Sequence, residues 1–172
     1  GFIEGRIVRY SSLPVADLGI RKVAALAALS RGSTPFNERW LDGFSIEPNL
    51  WPTSAVLDWY SLLKRTQAVP QRSERLVEAE QIIRSRLNFQ GTIMSFSTER
   101  TDALWWLMTS ADMNANRVLL EFWNLDALRE DMPRLVRGSL GRQLHGRWDT
   151  TVANAWGVLA MEKFSEKFES EE

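Results

Sequence analysis

The chain contains no cysteine. That absence removes disulfides, thiolate metal sites and cysteine nucleophiles together. Histidine is almost absent too. His145 is the only one, and a single histidine without cysteine partners is a poor metal site; it reads as a surface or helix C-terminal residue. The formal net charge is −1, so no basic field is available for nucleic acid or an anionic membrane. No apolar run approaches the roughly 18 residues of a membrane span, and no signal peptide is visible. Also missing are a Gly-rich phosphate loop, a Gly-x-Ser-x-Gly elbow and a His-Glu-x-x-His pair. The expectation is that the chain has no catalytic residue, no cofactor and no metal.

What is present belongs to a globular protein: 44% hydrophobic and 25% charged residues interspersed over a length that suits one domain. Tryptophan is abundant, with eight residues. Large flat side chains in that number suit inter-helix layers, sugar clefts or interfaces, and packing between helices is the reading adopted. Gly1 stands where Met would open a full chain, which suggests processing or excision. Ile3-Glu4-Gly5-Arg6 matches an engineered protease site, although Ile7, Val8 and Tyr10 continue an apolar pattern as native sequence would.

Helical periodicity dominates. The first helix is expected over 14–30, where Pro14 suits a first turn, Val15, Leu18, Val23, Leu26 and Leu29 supply apolar bulk, and Gly32 ends it. Residues 33–52 form a long aromatic-rich loop pinned by Phe36, Trp40, Phe44 and Trp51. A second helix, 53–66, carries Val56, Trp59, Tyr60 and Leu63 on one face. A third, 73–88, carries Leu76, Ala79, Ile83 and Leu87, and stops at Gly91, before a loosely extended stretch from Thr92 to Thr98. A fourth, 100–110, is striped by Leu104, Leu107, Met108 and Ala111. Asp112 is the expected N-cap of a fifth helix ending near 124, striped by Ala115, Val118, Leu119 and Phe122. Pro133 begins a sixth, with Met132, Leu135, Val136 and Leu140 facing inward. The last runs over 150–168, capped by Asp149 or Thr150. It is apolar on several sides through Val152, Ala155, Trp156, Val158, Leu159 and Met161, so it is expected to lie buried among other helices. The tail 169–172 is expected to be solvated and disordered.

Three helix starts look alike: Thr53-Ser54-Ala55-Val56-Leu57-Asp58-Trp59, Thr101-Asp102-Ala103-Leu104-Trp105-Trp106 and Thr150-Thr151-Val152-Ala153-Asn154-Ala155-Trp156. The first threonines are 48 and 49 residues apart. A near-constant period of this size indicates stacked helix pairs, with small residues permitting close approach and tryptophans filling the wedges. The predicted fold class is all-α: helical hairpins in an open solenoid or in an α/α toroid, about seven helices over one domain spanning 1–172. Asp58, Asp102 and Asp149, with Glu99 close by, gather near the helix starts. In α/α-barrel glycosidases two such carboxylates act as acid and base, but a first-turn acid also caps and favours the helix dipole, and capping is the reading adopted.

Two segments carry a family resemblance. Met132-Pro133-Arg134-Leu135-Val136-Arg137-Gly138 leading to Gly146-Arg147-Trp148-Asp149-Thr150-Thr151-Val152-Ala153-Asn154-Ala155-Trp156 resembles the closing hairpin of α2-macroglobulin and complement thioester domains. Arg86-Leu87-Asn88-Phe89-Gln90-Gly91 leading to Ser97-Thr98-Glu99-Arg100-Thr101-Asp102-Ala103-Leu104-Trp105-Trp106-Leu107-Met108 resembles the preceding hairpin of the bacterial branch, large extracellular α-helical proteins. The resemblance covers residues 84–168 and weakens over 1–83.

The resemblance implies the C-terminal part of a thioester domain, hence a partial α/α toroid. It implies a large periplasmic or cell-surface parent, anchored or secreted through regions outside this chain. That parent would inhibit endopeptidases: a protease cuts a bait segment, the molecule rearranges, and the protease is trapped. The implied partners are target proteases, neighbouring macroglobulin domains and a peptidoglycan synthase, with self-association through apolar surface and no nucleic acid. Many members add an internal Cys–Gln thioester. Its Cys-x-x-Gln motif is not in this chain: either it lies upstream of Gly1, the reading adopted, or this branch has lost it, and no reactive residue is carried over. The competing readings are an α/α-toroid enzyme acting on polysaccharide or a lipid diphosphate, and a helical-repeat scaffold that binds peptides.

Overall fold

A computed structural model describes residues 15–33, 35–42, 44, 47–102, 104 and 107–168. The Ile3-Glu4-Gly5-Arg6 segment, Ile7, Val8, Tyr10, Pro14 and the tail 169–172 lie outside the described residues. Among those described are six α-helices and one two-stranded sheet: α1 Val15–Leu29, α2 Thr53–Arg65, α3 Arg72–Arg86, β1 Leu87–Gln90, β2 Ile93–Phe96, α4 Ala111–Phe122, α5 Met132–Leu140 and α6 Thr151–Phe168. The chain is thus mostly helical. It groups into two compact units, Gly1–Ser85 and Arg86–Glu172.

In the first unit α1 packs on α2. The stripe Val56, Trp59, Tyr60 and Leu63 is buried throughout, and so are Thr53, Ser54, Ala55 and Ser61. These small residues let neighbouring chain come close on the remaining sides of α2. Leu26 of α1 and Leu57, Leu62 and Leu63 of α2 are fully buried, each stabilising by about 1.5–3 kcal/mol. The long loop holds two short 3-10 turns, Glu38–Leu41 and Pro48–Leu50. Asn37 caps the first, its side chain accepting from Arg39 N at 3.0 Å. At the other end of α2, Arg72 Nε donates to Leu63 O at 2.6 Å, tying the start of α3 to α2.

In the second unit α6 packs along α4, while α5 packs against β2 and α4. One buried polar chain crosses three helices. Ser139 Oγ of α5 donates to Asn116 Oδ1 of α4 at 2.5 Å, and Asn116 Nδ2 donates to Ala153 O of α6 at 2.9 Å. Such a bridge ties helix positions together, because leaving any buried member unpaired costs about 1–3 kcal/mol.

Several expectations are corrected here. The third helix ends at Arg86; Leu87 to Gln90 pair as a strand with Ile93 to Phe96, in register Leu87↔Phe96 and Gln90↔Ile93. The two-residue turn between them uses Gly91 at φ 63°, where a side chain would be strained. The helix expected over 100–110 is not formed by its described residues, which are turns and irregular chain. Thr101 Oγ1 donates to Thr98 O, and Thr98 Oγ1 donates to Asp102 Oδ2. These side chains compete with helical bonding. Met108 then adopts φ 56° and is 68% exposed. Ala103, Trp105 and Trp106 lie outside the described residues. Of the three matched starts, therefore, only those at Thr53 and Thr150 open helices.

The N-cap of α4 is Ser110, whose Oγ accepts from Met113 N at 3.1 Å; Asp112 is buried in the first turn of the helix. Thr150 rather than Asp149 caps α6, accepting from Ala153 N at 3.0 Å. Leu140 is largely exposed instead of facing inward. Finally, α6 is not sunk among helices on every side. Ala153, Gly157 and Ala160 are buried, whereas Ala155, Val158 and Leu159 are exposed, Val158 by 65% and Leu159 by 46%.

Candidate functional site

Three of the four acids noticed in the sequence meet in the second unit. Glu99, Asp102 and Asp149 line a cavity of about 220 Å³ together with Phe96, Ser110 and Asn114. The fourth, Asp58, sits half-buried on α2 in the first unit. The three that meet are already engaged. Asp149 Oδ1 accepts from Ser110 Oγ at 2.8 Å, and Asp149 N donates to Asp112 Oδ2 at 3.0 Å. Asp102 accepts from Thr98 Oγ1 at 2.7 Å. Glu99 Oε1 accepts from Phe96 N at 2.9 Å and also meets Arg142. Asn114 contributes the one unsatisfied group in this chamber: its Oδ1 is buried and has no donor.

Arg142 holds this region together. Its Nε donates to Asp112 Oδ1 at 2.7 Å, its Nη1 donates to Met94 O and to Glu99 Oε1 at 2.9 Å, and its Nη2 reaches Glu99 Oε2 at 3.4 Å. One guanidinium thus links α4, β2 and the turn after β2. Burial alone would lower its pKa, but hydrogen bonds to Asp112 and Glu99 and their charges outweigh that, and the guanidinium is held above its ordinary value. Arg86 shows the opposite balance. Burial lowers it, and the charge of Asp102 offsets this only in part. The chamber is a set of carboxylates locked by arginines and hydroxyls, an arrangement that fixes geometry before it offers a free base.

His145 projects from a tight turn at φ 54°, followed by Gly146 at φ 74°, and the turn is closed by the Leu144–Arg147 bridge. The residue is exposed. Among the described residues no group of three or more His, Asp or Glu is placed to hold a metal ion.

The largest cavity described, about 710 Å³, is in the first unit. Phe44, Trp51 and Trp59 stand at its base, with ring centroids 5.7, 6.0 and 6.2 Å apart. The loop therefore is pinned by aromatics as expected, with Trp59 of α2 as the anchor. Arg75 of α3 lies over the Trp59 ring at 5.9 Å, and Lys22 of α1 lies over Phe44 at 5.4 Å. Burial lowers the Lys22 pKa, opposed by the nearby charge of Asp42. The lining also includes Glu38, Asp42, Glu47 and Glu78 together with Arg39 and Arg75. Sequence reasoning noticed the aromatics of this loop but not the acids or Arg75, and it missed Arg142 altogether. Arg142 is 30 or more positions from the groups it serves, and no local pattern marks it. The aromatic content of residues 33–52 does mark this loop in the sequence.

No protein-family model, no curated protein and no solved structure matches this chain.

Proposed function

We propose that the chain is a helical piece of a bacterial α2-macroglobulin-like endopeptidase inhibitor, from the C-terminal part of its thioester domain. Its role is structural, and it carries no reactive group. The observation that carries the reading is the division of α6 into two apolar faces. One, with Ala153 and Gly157, is buried against its own unit; the other exposes Val158 and Leu159. An inner helix of a toroid needs both faces covered, the second by further hairpins, and an uncovered apolar face is otherwise costly in water.

A second observation supports it. The segments that carry the resemblance, 86–108 and 132–156, belong to one compact unit. Trp148, from the Gly-Arg-Trp loop, is buried, and its Nε1 donates to Ser139 O of α5 at 3.0 Å. That bond holds the loop in the position from which α6 starts. On this reading the parent works in the periplasm or at the cell surface, traps proteases after bait cleavage, and operates alongside a peptidoglycan synthase. The acyl-transfer group, if the parent has one, is supplied by another part of it. An enzyme working through Glu99, Asp102 and Asp149 would use the 220 Å³ chamber, whose carboxylates are held by Arg142 and by neighbouring hydroxyls.

Two measurements test the proposal. The coding sequence flanking this segment is expected to encode macroglobulin domains in the same frame; their absence ends the reading. The whole product, incubated with trypsin, is expected to leave cleavage of a small chromogenic amide intact while protecting a large protein substrate. Equal digestion of both substrates overturns protease trapping.

A further inference from the structure

With cysteine absent, the five methionine thioethers are all the sulfur this chain has. Four of them are packed. Met94, Met113 and Met132 are 0%, 5% and 1% exposed. Met161 is partly buried against the cluster of Met113, Trp148 and Ala153. Met108 stands apart at 68% exposure. Its backbone is at φ 56°, a left-handed conformation that bulky L residues seldom adopt. Both flanks hold that reversal in place. Leu107 N donates to Leu104 O at 2.9 Å, and Thr109 Oγ1 donates to the same carbonyl at 3.0 Å. Ser110 then caps α4 and donates to Asp149.

Methionine ordinarily serves a fold by filling irregular gaps in its core. Met108 fills none, and glycine or asparagine would meet its backbone angle with less strain. Its distinctive property is a sulfur open to solvent. We infer that Met108 is an oxidation site for hydroperoxides, and that it reacts ahead of the packed methionines without harm to the fold. The sulfur lone pair attacks one peroxide oxygen. An S–O bond forms as the O–O bond breaks. The thioether loses two electrons and becomes a sulfoxide. The proton of the attacked oxygen passes to the departing one, which leaves hydrogen peroxide's reduced half as water. A sulfoxide is polar and disrupts a core, but at Met108 it enters water and displaces no packing. There it also stays accessible to the reductases that restore the thioether. Met94, Met113 and Met132 are reached only when the structure opens locally. The inference does not rest on the protease-trapping reading.

The test treats the full chain with hydrogen peroxide beside free acetyl-methionine amide, and reads sulfoxide at each methionine by peptide mass spectrometry over time. Met108 is expected to oxidise at nearly the rate of the free amide. It should run about tenfold or more ahead of Met94, Met113 and Met132, with Met161 between them. In denaturing urea all five should react alike. Chains converted at Met108 should keep their circular dichroism and their urea midpoint, and a mixture of the two epimer-specific methionine sulfoxide reductases should restore the thioether. Met108→Leu should remove the fast phase and leave the slow ones unchanged. Equal rates at Met108 and the three buried methionines, or Met161 reacting first, overturns the proposal. So does a loss of stability on conversion of Met108, or a sulfoxide that the reductases leave in place. The rates in the unaltered chain decide even if Met108→Leu fails to fold.

Discussion

The six-membered ring of the Trp148 indole lies against the bare backbone of Gly157 in α6, so closely that a methyl group on Gly157 would overlap it. Gly157 is thus a seat for Trp148 rather than a weak point in the helix. Gly157→Ala should destabilise the second unit despite the better helix propensity of alanine, which is worth about 1 kcal/mol. Overpacking costs about 1–3 kcal/mol and more against a rigid ring, so a net loss of about 1–2 kcal/mol is expected in urea denaturation. Adding Trp148→Phe should return part of the loss. A more stable Gly157→Ala protein would show that Trp148 does not sit there.

Arg142 is the next point of failure. Its side chain is 11% exposed and that of its partner Asp112 is 10% exposed. Arg142→Met should cost about 3 kcal/mol, because it strands a buried carboxylate. Arg142→Lys should recover little, since an ammonium lacks the planar fork that reaches Asp112, Glu99 and Met94 together. The loss should barely change with salt, as buried pairs are weakly screened. A loss below about 1 kcal/mol, within the range of an exposed pair, would contradict the network.

The outer face of α6 should behave as surface in this chain and as interface in a larger one. Val158→Lys/Leu159→Lys is expected to change stability by less than about 1 kcal/mol. In sedimentation velocity the unaltered protein should self-associate as concentration rises, and the double variant should remain monomeric. If the unaltered protein stays monomeric at high concentration, the apolar face is not adhesive.

Lys22 supplies a pH dependence. Burial holds its folded pKa below the ordinary value of 10.5, with Asp42 opposing. Between the folded and unfolded values the unfolded chain binds more protons, so stability contributed by this group rises with pH across that window and levels off above it. Lys22→Met lacks this dependence. Thermal unfolding from about pH 8 to about pH 10.5 should show the unaltered protein gaining on the variant. A constant difference, or a shrinking one, would rule this out.

Where the sequence is informative, the helical spacing of large apolar residues is the reason. The stripe Val56, Trp59, Tyr60 and Leu63 was read from spacing, and all four are buried. Pro133 marks the first turn of α5 as expected. The misread segments share a different cause. Leu87 continues the stripe of Leu76, Ala79 and Ile83 as well as it fits a strand, and pairing with Phe96 decides for the strand. Ser110 and Asp112 are both good caps, and Arg142, 30 residues on, claims the aspartate. Thr98, Thr101 and Asp102 spend their side chains on one another, which a count of apolar spacings does not register.

The sequence by itself determined the helical class, five of the helices as they stand, the aromatic pinning of the long loop, and the absence of thiol chemistry. These follow from short-range rules: periodicity, Pro and Gly placement, and residue type. Tertiary structure alone decided that Glu99, Asp102 and Asp149 share a chamber, that Trp148 rests on Gly157, that the Trp59 indole donor is buried without an acceptor, and that α6 exposes Val158 and Leu159. Most depend on groups far apart in the chain, all of them on side chains that meet only after the helices pack, and no local propensity carries information about such a meeting.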